Sequence, residues 1–264
     1  MLDWAIQDAT GCARAEGADL VFVLCGDVTE ATQSLREYNE VLRALLPRVS
    51  TMVDSSIGLG VCLGNHDPEG LLEWWDMISP RIHTASTAVE LLETPEAAVL
   101  LIPYPRRGRP PFDNLVDDGT IQGSLRAAGE RIREVVQQTL AALPEGKSLI
   151  VAGHFTLAGM ATRDTTFEQH HATEVIVPLD AFDGVALTAV GHVHKRQELA
   201  PNIIGVGGLI RHSWAERDDP KSYTLIRLKG GLVAWEHRNV PARELWQFEG
   251  EWSSSGWLKE LVRG

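Results

Sequence analysis

The chain has few cysteines, few basic residues and no long apolar run, and each shortage excludes something. Three cysteines among 264 residues, Cys12, Cys25 and Cys62, are too sparse and of the wrong parity for a disulfide framework. Cys25 and Cys62 lie inside apolar strand-like runs, as buried free thiols of a reducing compartment do, and no zinc spacing joins the three. No apolar run approaches the ~20 residues that span a bilayer. Met1 is followed by Leu2, Asp3 and Trp4, with no basic n-region and no signal-like apolar stretch. The expectation is a soluble, cytoplasmic protein with no membrane partner. Lys and Arg total 24 against 36 Asp and Glu, for a formal charge of −12. Coating nucleic acid needs a broad basic face, which this balance excludes; an enzyme that grips one phosphate through metal ions stays compatible with it.

What is present is an ordinary globular composition, 44% hydrophobic and 23% charged, enough for one large domain or two small ones. The opening stretch reads as an amphipathic helix, with Leu2, Ala5, Ile6, Ala9, Cys12 and Ala13 on one face. Strand-like runs follow at 19–25, 57–63, 148–152 and 185–190, and residues 87–92 and 97–102 flank a turn that suggests a hairpin. Helical patterns cover 33–46, stopped at Pro47, then 69–78, and 124–143, stopped at Pro144. Residues 103–122 read as a loop, and beyond Gln197 short strands and turns dominate, at 202–206, 223–228 and 232–237. Alternating strands and helices with a strand-rich end predict an α/β fold, two mixed β-sheets packed face to face and flanked by helices.

Four apolar runs finish alike. Val21-Phe22-Val23-Leu24-Cys25 runs into Gly26-Asp27, Val61-Cys62-Leu63 into Gly64-Asn65-His66-Asp67, Leu149-Ile150-Val151-Ala152 into Gly153-His154, and Leu187-Thr188-Ala189-Val190 into Gly191-His192-Val193-His194. In α/β folds ligands bind outside the carboxyl ends of the strands, and glycine lets the backbone turn there and approach a site closely. A single Gly-Asp or Gly-His is usually just a turn. Four such endings in one chain predict a metal centre of oxygen and imidazole donors, suited to manganese, iron or zinc.

These four endings, in this order, resemble the motifs of the calcineurin-like metallophosphoesterases, and within them the SbcD-type nucleases. Ile102-Pro103-Tyr104-Pro105, Val177-Pro178-Leu179-Asp180 and the stretch Val206-Gly207-Gly208-Leu209-Ile210-Arg211, with Trp214-Ala215-Glu216 and Asp219-Pro220-Lys221, support the narrower match, which covers roughly residues 1–240. The resemblance implies a metal-dependent DNA exonuclease or endonuclease holding two Mn2+ ions. Asp27 would bridge the ions, Asn65, His154 and His192 would complete one site, and His194 would belong to the other. His66 would be the general acid, with Asp67 beside it in the catalytic motif, and Glu30 stands where relatives often carry an aspartate that orients this histidine. Arg106, Arg107 and Arg109 on the Pro-rich loop, and Lys195 and Arg196 after the last motif, are candidates for tracking a DNA backbone. His83, His170, His171, His212 and His237 read as surface or packing residues, His170 and His171 being the strongest exceptions. The apolar stretch Leu71–Ile78 suggests a homodimer helix, centred on Trp74 and Trp75.

The family's first motif, an Asp-x-His closing an initial strand, is not found ahead of the first helix. Three explanations stand: it lies upstream of Met1, it has been lost, or another chain supplies it. The domain expectation is a metallophosphoesterase domain over 1–240 lacking that strand, and a short extension over 241–264 that folds as a turn and one helix (256–262). That extension is too short for a full cap domain, which bears on docking to an SbcC-type ATPase. Two alternatives to the nuclease remain: a calcineurin-like phosphodiesterase acting on small nucleotides, and a catalytically weak DNA-binding subunit with an incomplete metal site.

Overall fold

Helix α1 (Leu2–Glu16) buries Ala5, Ile6 and Ala9 and ends at Gly17, whose φ of 62° gives the left-handed cap that glycine adopts without strain. The structure is a computed structural model, and it describes residues 1–29, 34–68, 72–113, 115, 119–161, 174–244, 247–249, 252–253, 256–257 and 260–262. Glu30, Leu71, His170 and His171, singled out above, lie outside the described residues.

Strand β1 (Val21–Cys25) pairs in parallel with β2 (Gly58–Cys62), and β2 with β3 (Ile82–Ala85), in a three-stranded sheet. Between β1 and β2 runs α2 (Leu35–Asp54), opened by a capping box in which Ser34 and Glu37 satisfy each other's backbone N–H. The helix does not stop at Pro47 but continues to Asp54. A proline inside a helix costs about 3 kcal/mol. The turns beyond it bury Val49, Met52 and Val53 against Leu59 and Val61, and burying such side chains returns about 1.5–3 kcal/mol each. Tertiary burial outweighs the local penalty.

The second sheet has six strands in the order β10-β11-β9-β6-β5-β4. These are β4 (Glu90–Glu93), β5 (Ala97–Ile102), β6 (Ser148–His154), two-residue strands β7 (Thr156–Leu157) and β8 (Ile176–Val177) outside this sheet, then β9 (Leu187–Gly191), β10 (Gln197–Ala200) and β11 (Ile203–Gly205). Strands β5, β6, β9 and β11 run parallel to their neighbours, while β4 and β10 pair antiparallel at the two edges, so β4 and β5 form the expected hairpin. Helix α3 (Ile121–Ala142) lays Ala128, Ile132 and Val136 on one face of this sheet, in a core with Leu100, Ile102 and Val151.

Alternation along β2 explains how the sheets and helices meet. Leu59, Val61 and Leu63 join the cluster formed with α1 and α2, whereas Cys62 joins a cluster with Leu92, Val99, Leu101, Ile150 and Ala152 of the six-stranded sheet. Gly60 permits that approach: a Cβ there would stand 2.9 Å from Leu101 Cδ2. The chain is thus a mixed α/β structure of several sheets flanked by helices.

A hairpin of β12 (Ser222–Lys229) and β13 (Leu232–Asn239) turns at Gly230-Gly231, with φ of 56° and 78°. Tyr223 Oη donates to Asp8 Oδ2 at 2.7 Å and Arg238 Nε lies 2.9 Å from Asp8 Oδ2, tying the hairpin to α1. Two sequence expectations are corrected. Residues Leu72–Met77 form a short 3-10 helix where an α-helix over 69–78 is expected, residues 69–71 of that span lying outside the described residues; 3-10 geometry is common in pieces this short. The C-terminal segment forms strand pairs, Gln247–Glu249 with Glu260–Val262 and Trp252–Ser253 with Gly256–Trp257, instead of a short helix, in line with the strand preference of Phe248, Trp252, Trp257 and Val262.

Candidate metal centre

The four glycine endings converge. His154, the last residue of β6, is buried; its Nδ1–H donates to the carbonyl of Cys25 at the end of β1, with the atoms 2.6 Å apart. A carbonyl can only accept, so the neutral ring carries its proton on Nδ1 and leaves Nε2 bare. That bare nitrogen lies 3.0 Å from Asn65 Oδ1 and 3.2 Å from Asp27 Oδ2. His192 Nδ1 lies 3.0 Å from the same Asn65 oxygen. The rings of His154 and His192 stand 5.0 Å apart, and Tyr104 packs against both at 6.1 and 5.5 Å.

The backbone is forced to make this meeting. Among the described residues, the non-glycine positions with positive φ are Asp27 (52°) and His192 (81°). Each such conformation costs on the order of 1–3 kcal/mol and persists only where its surroundings impose it. Close approach is built in as well: a Cβ on Gly64 would stand 2.2 Å from Asp27 Oδ1, and one on Gly191 would stand 2.1 Å from the Cys25 carbonyl.

The donor set fits a divalent cation. Oxygens and a bare imidazole nitrogen, all electron-rich, face one another at 3.0 to 3.2 Å. Adjacent ligands around an octahedral ion bound at about 2.1 Å would stand about 3 Å apart. Asp27, His154 and His192 offer ligand atoms within 4.8 Å of one another. The Asp27 carboxylate also accepts the His66 backbone N–H on Oδ1 at 2.9 Å, a hydrogen bond that favours the ionised form a cation needs. Cys25, two residues away, offers no thiolate: burial pushes its thiol up to about 12.

The loop after β2 is pinned from two sides. Asp67, 0% exposed, accepts from Thr29 N and Oγ1 at 2.8 and 3.0 Å and from Gly64 N at 2.8 Å. Its carboxylate therefore holds the loops after β1 and β2 together. Arg106 Nη2 donates to the carbonyls of Gly64, Asn65 and Asp67 at 3.0, 3.1 and 2.9 Å. His66, between these fixed residues, is exposed, and its backbone N–H donates to Asp27 Oδ1 at 2.9 Å. Arg107, Arg109 and Lys195 are exposed, while Arg196 Nη1 donates to Asn239 Oδ1 at 2.6 Å.

His194 stands outside the Asp27, His154 and His192 group and has its own surroundings. Its Nδ1 lies 3.0 Å from Glu216 Oε1, and His212 tilts over its ring at 4.7 Å. His212, read as a surface or packing residue, therefore stands beside a motif histidine. His237 is such a packing residue, its Nδ1 lying 2.9 Å from Thr224 Oγ1. Glu174 had no signal in the sequence at all; its Oε2 lies 2.7 Å from His192 Nε2 and accepts the Thr156 hydroxyl at 2.8 Å. Among the described residues no helix is long and apolar enough to cross a membrane.

No family model matches the chain. It is 21% identical over 243 residues to SbcD of the SbcCD nuclease from Staphylococcus saprophyticus, covering 87% of this chain and 60% of that protein. The chain thus spans about 60% of the length of the curated relative it matches. The crystal structure of phosphopantetheinyl hydrolase from Mycobacterium tuberculosis aligns at a TM-score of 0.37 and 14% identity, over 70% of this chain and 77% of that one.

Proposed function

We propose that the chain is a metal-dependent hydrolase of phosphodiester bonds, an SbcD-like DNA nuclease that uses Mn2+ and is built on two sheets packed face to face. The observation that carries this reading is the meeting of Asp27 Oδ2, Asn65 Oδ1 and the bare His154 Nε2 at 3.0 to 3.2 Å, electron-rich atoms that repel one another without a cation. Similarity to a nuclease component over 87% of the chain supports the choice of DNA.

Asp27, Asn65, His154 and His192 would hold one ion, and His194 would serve a second. Such ions, when bound, supply positive charge at the phosphoryl oxygens and acidify water. The chain supplies the rest. His66, exposed on a loop that Asp67 and Arg106 fix, would donate its ring proton to the departing sugar oxygen. Arg107 and Lys195, exposed near the two motif loops, would meet backbone phosphates. Arg106 and Arg196, read from sequence as phosphate contacts, already bond to the protein itself, which makes Arg106 a support for the loop. A second copy of the chain and an SbcC-type ATPase are the partners this reading carries.

The test is a Mn2+-dependent assay on linear DNA. Cleavage that is lost in His66→Ala and on chelation supports the nuclease. Turnover of small phosphodiesters alone replaces it with the small-nucleotide enzyme, and DNA binding without turnover of either replaces it with the DNA-binding subunit.

A further inference from the structure

We propose that two carboxylates set opposite tautomers on the histidines of Gly191-His192-Val193-His194, Glu174 keeping the proton of His192 on Nε2 and Glu216 keeping that of His194 on Nδ1. A neutral imidazole has one N–H and one bare nitrogen, and the partner of the N–H decides which is which. Histidines that bind metals commonly have their far nitrogen fixed in this way by a carboxylate. The inference rests on the metal-centre reading for its consequence only; the hydrogen bonds stand by themselves.

Glu174 reaches His192 from the segment leading into β8. Its Oε2 is 2.7 Å from His192 Nε2 and is anchored by the Thr156 hydroxyl at 2.8 Å. With its proton held there, His192 turns a bare Nδ1 toward Asn65 Oδ1, 3.0 Å away.

Glu216 is held more firmly still. Its Oε1 is 3.0 Å from His194 Nδ1, and its Oε2 pairs with Lys221 Nζ at 2.5 Å. Lys221 is only 2% exposed, and the same ammonium donates to the His194 carbonyl at 3.3 Å. A buried ammonium is tolerated only where it is paired and hydrogen-bonded, so Lys221 and Glu216 fix each other. Arg211 Nε closes the loop by donating to the Glu216 carbonyl at 3.2 Å. His194 then presents Nε2 as its bare nitrogen.

The two bare nitrogens differ in reach. Nδ1 sits on the ring atom nearest the backbone, and Nε2 on the far side. Two histidines separated by one residue, Val193, would therefore serve two positions and not compete for one. Glu174 and Glu216 are positioning residues, since each acts through a histidine.

The test uses the full chain, free of metal, with 15N-labelled histidine. Long-range 1H–15N spectra well above the imidazole pKa report which ring nitrogen is protonated, with His192→Gln and His194→Gln giving the assignments. The expected result is Nε2–H for His192 and Nδ1–H for His194. Glu216→Gln keeps an oxygen acceptor and preserves the His194 signature, whereas Glu216→Ala gives a mixture; Glu174→Gln and Glu174→Ala behave in the same way toward His192. Mn2+ affinity, titrated separately, falls about 10–100-fold in the Ala variants and much less in the Gln variants. Should Glu216→Ala fail to fold, Glu216→Ala/Lys221→Met removes both buried charges together. A wild-type His194 protonated on Nε2, or tautomer ratios unmoved by either Ala variant, overturns the inference. Correct tautomers with no Mn2+ binding would instead overturn the metal-centre reading and leave this one intact.

Discussion

Gly26 and His154 are in direct contact: a Cβ on Gly26 would fall 2.1 Å from His154 Nδ1. That nitrogen is the one held by the Cys25 carbonyl, so Gly26 has no side chain because the ring that serves the site occupies the space. Its φ of 86° would also strain any other residue. Gly26→Ala should leave the far-UV circular dichroism unchanged, displace His154 and weaken Mn2+ binding at least tenfold. Wild-type affinity in this variant would show that His154 is not among the residues holding the ion.

His66 and Asp67 are neighbours with opposite expected phenotypes. Asp67 is 0% exposed and accepts three hydrogen bonds from Thr29 and Gly64. Asp67→Ala strands those donors, and charged hydrogen bonds of this kind are worth about 1.5–3 kcal/mol. A lowered melting temperature is expected, with activity falling as the loop loosens. His66→Ala removes an exposed side chain, so stability should stay within about 0.5 kcal/mol while turnover is lost. Equal melting temperatures for the two variants would contradict this division.

These two residues also show what the sequence made legible. Glycine followed by a ligand-type side chain at four strand ends is a local pattern, and the meeting of Asp27, Asn65, His154 and His192 follows once parallel strands are assumed. Asp67 belonged to the same run of letters, yet its burial depends on Thr29, 38 positions away. Glu174 was illegible for a similar reason, since its contact with His192 comes from the path of the chain between β6 and β9. Pro47 misled because a local stop signal says nothing of the core that Val49, Met52 and Val53 enter beyond it.

Trp74 and Trp75 divide in the same way. Trp75 is 2% exposed and packs with the α1 and α2 core, while Trp74 is 67% and Met77 79% exposed. A charge at Trp75 would therefore damage folding before it tested any interface. Trp75→Ala is expected to cost about 3–5 kcal/mol, and Trp74→Ala less than about 0.5 kcal/mol, both read by urea denaturation. If a dimer uses this face, Trp74→Glu is the variant whose sedimentation should change.

Acid should weaken the fold through Glu216. Burial raises its carboxyl, but Lys221 and His194 outweigh that and hold it at about 2, against an ordinary value of 4.5. A depressed folded-state pKa gives stability that is fully present above the unfolded value and is lost as pH falls through the folded one. The contribution should therefore be complete above pH 4.5 and decline toward pH 2. Denaturation of wild type and Glu216→Gln across that window is the measurement. Their stability gap should shrink as pH falls; a constant gap would mean that Glu216 is not held ionised by its partners.

The three thiols should react in a fixed order. Cys25 and Cys62 donate to the carbonyls of Ala189 and Ala152 at 3.9 and 3.6 Å, in the cluster that joins strands of both larger sheets. Burial pushes the Cys25 thiol up to about 12 and that of Cys62 well above its usual value. The thiolate is the reactive form, so neither should be modified by a disulfide reagent in the native protein at mildly alkaline pH. Cys12 is half-buried on α1, with Arg238 Nη1 3.2 Å from its sulfur, and should react first and alone. Cys12→Ser should abolish the native-state signal, and denaturant should expose the other two thiols together, because both sit in one core. Rapid labelling of Cys25 in the folded chain would mean that the two sheets part readily beside the site, and their slow labelling rate would otherwise report the opening free energy of that core.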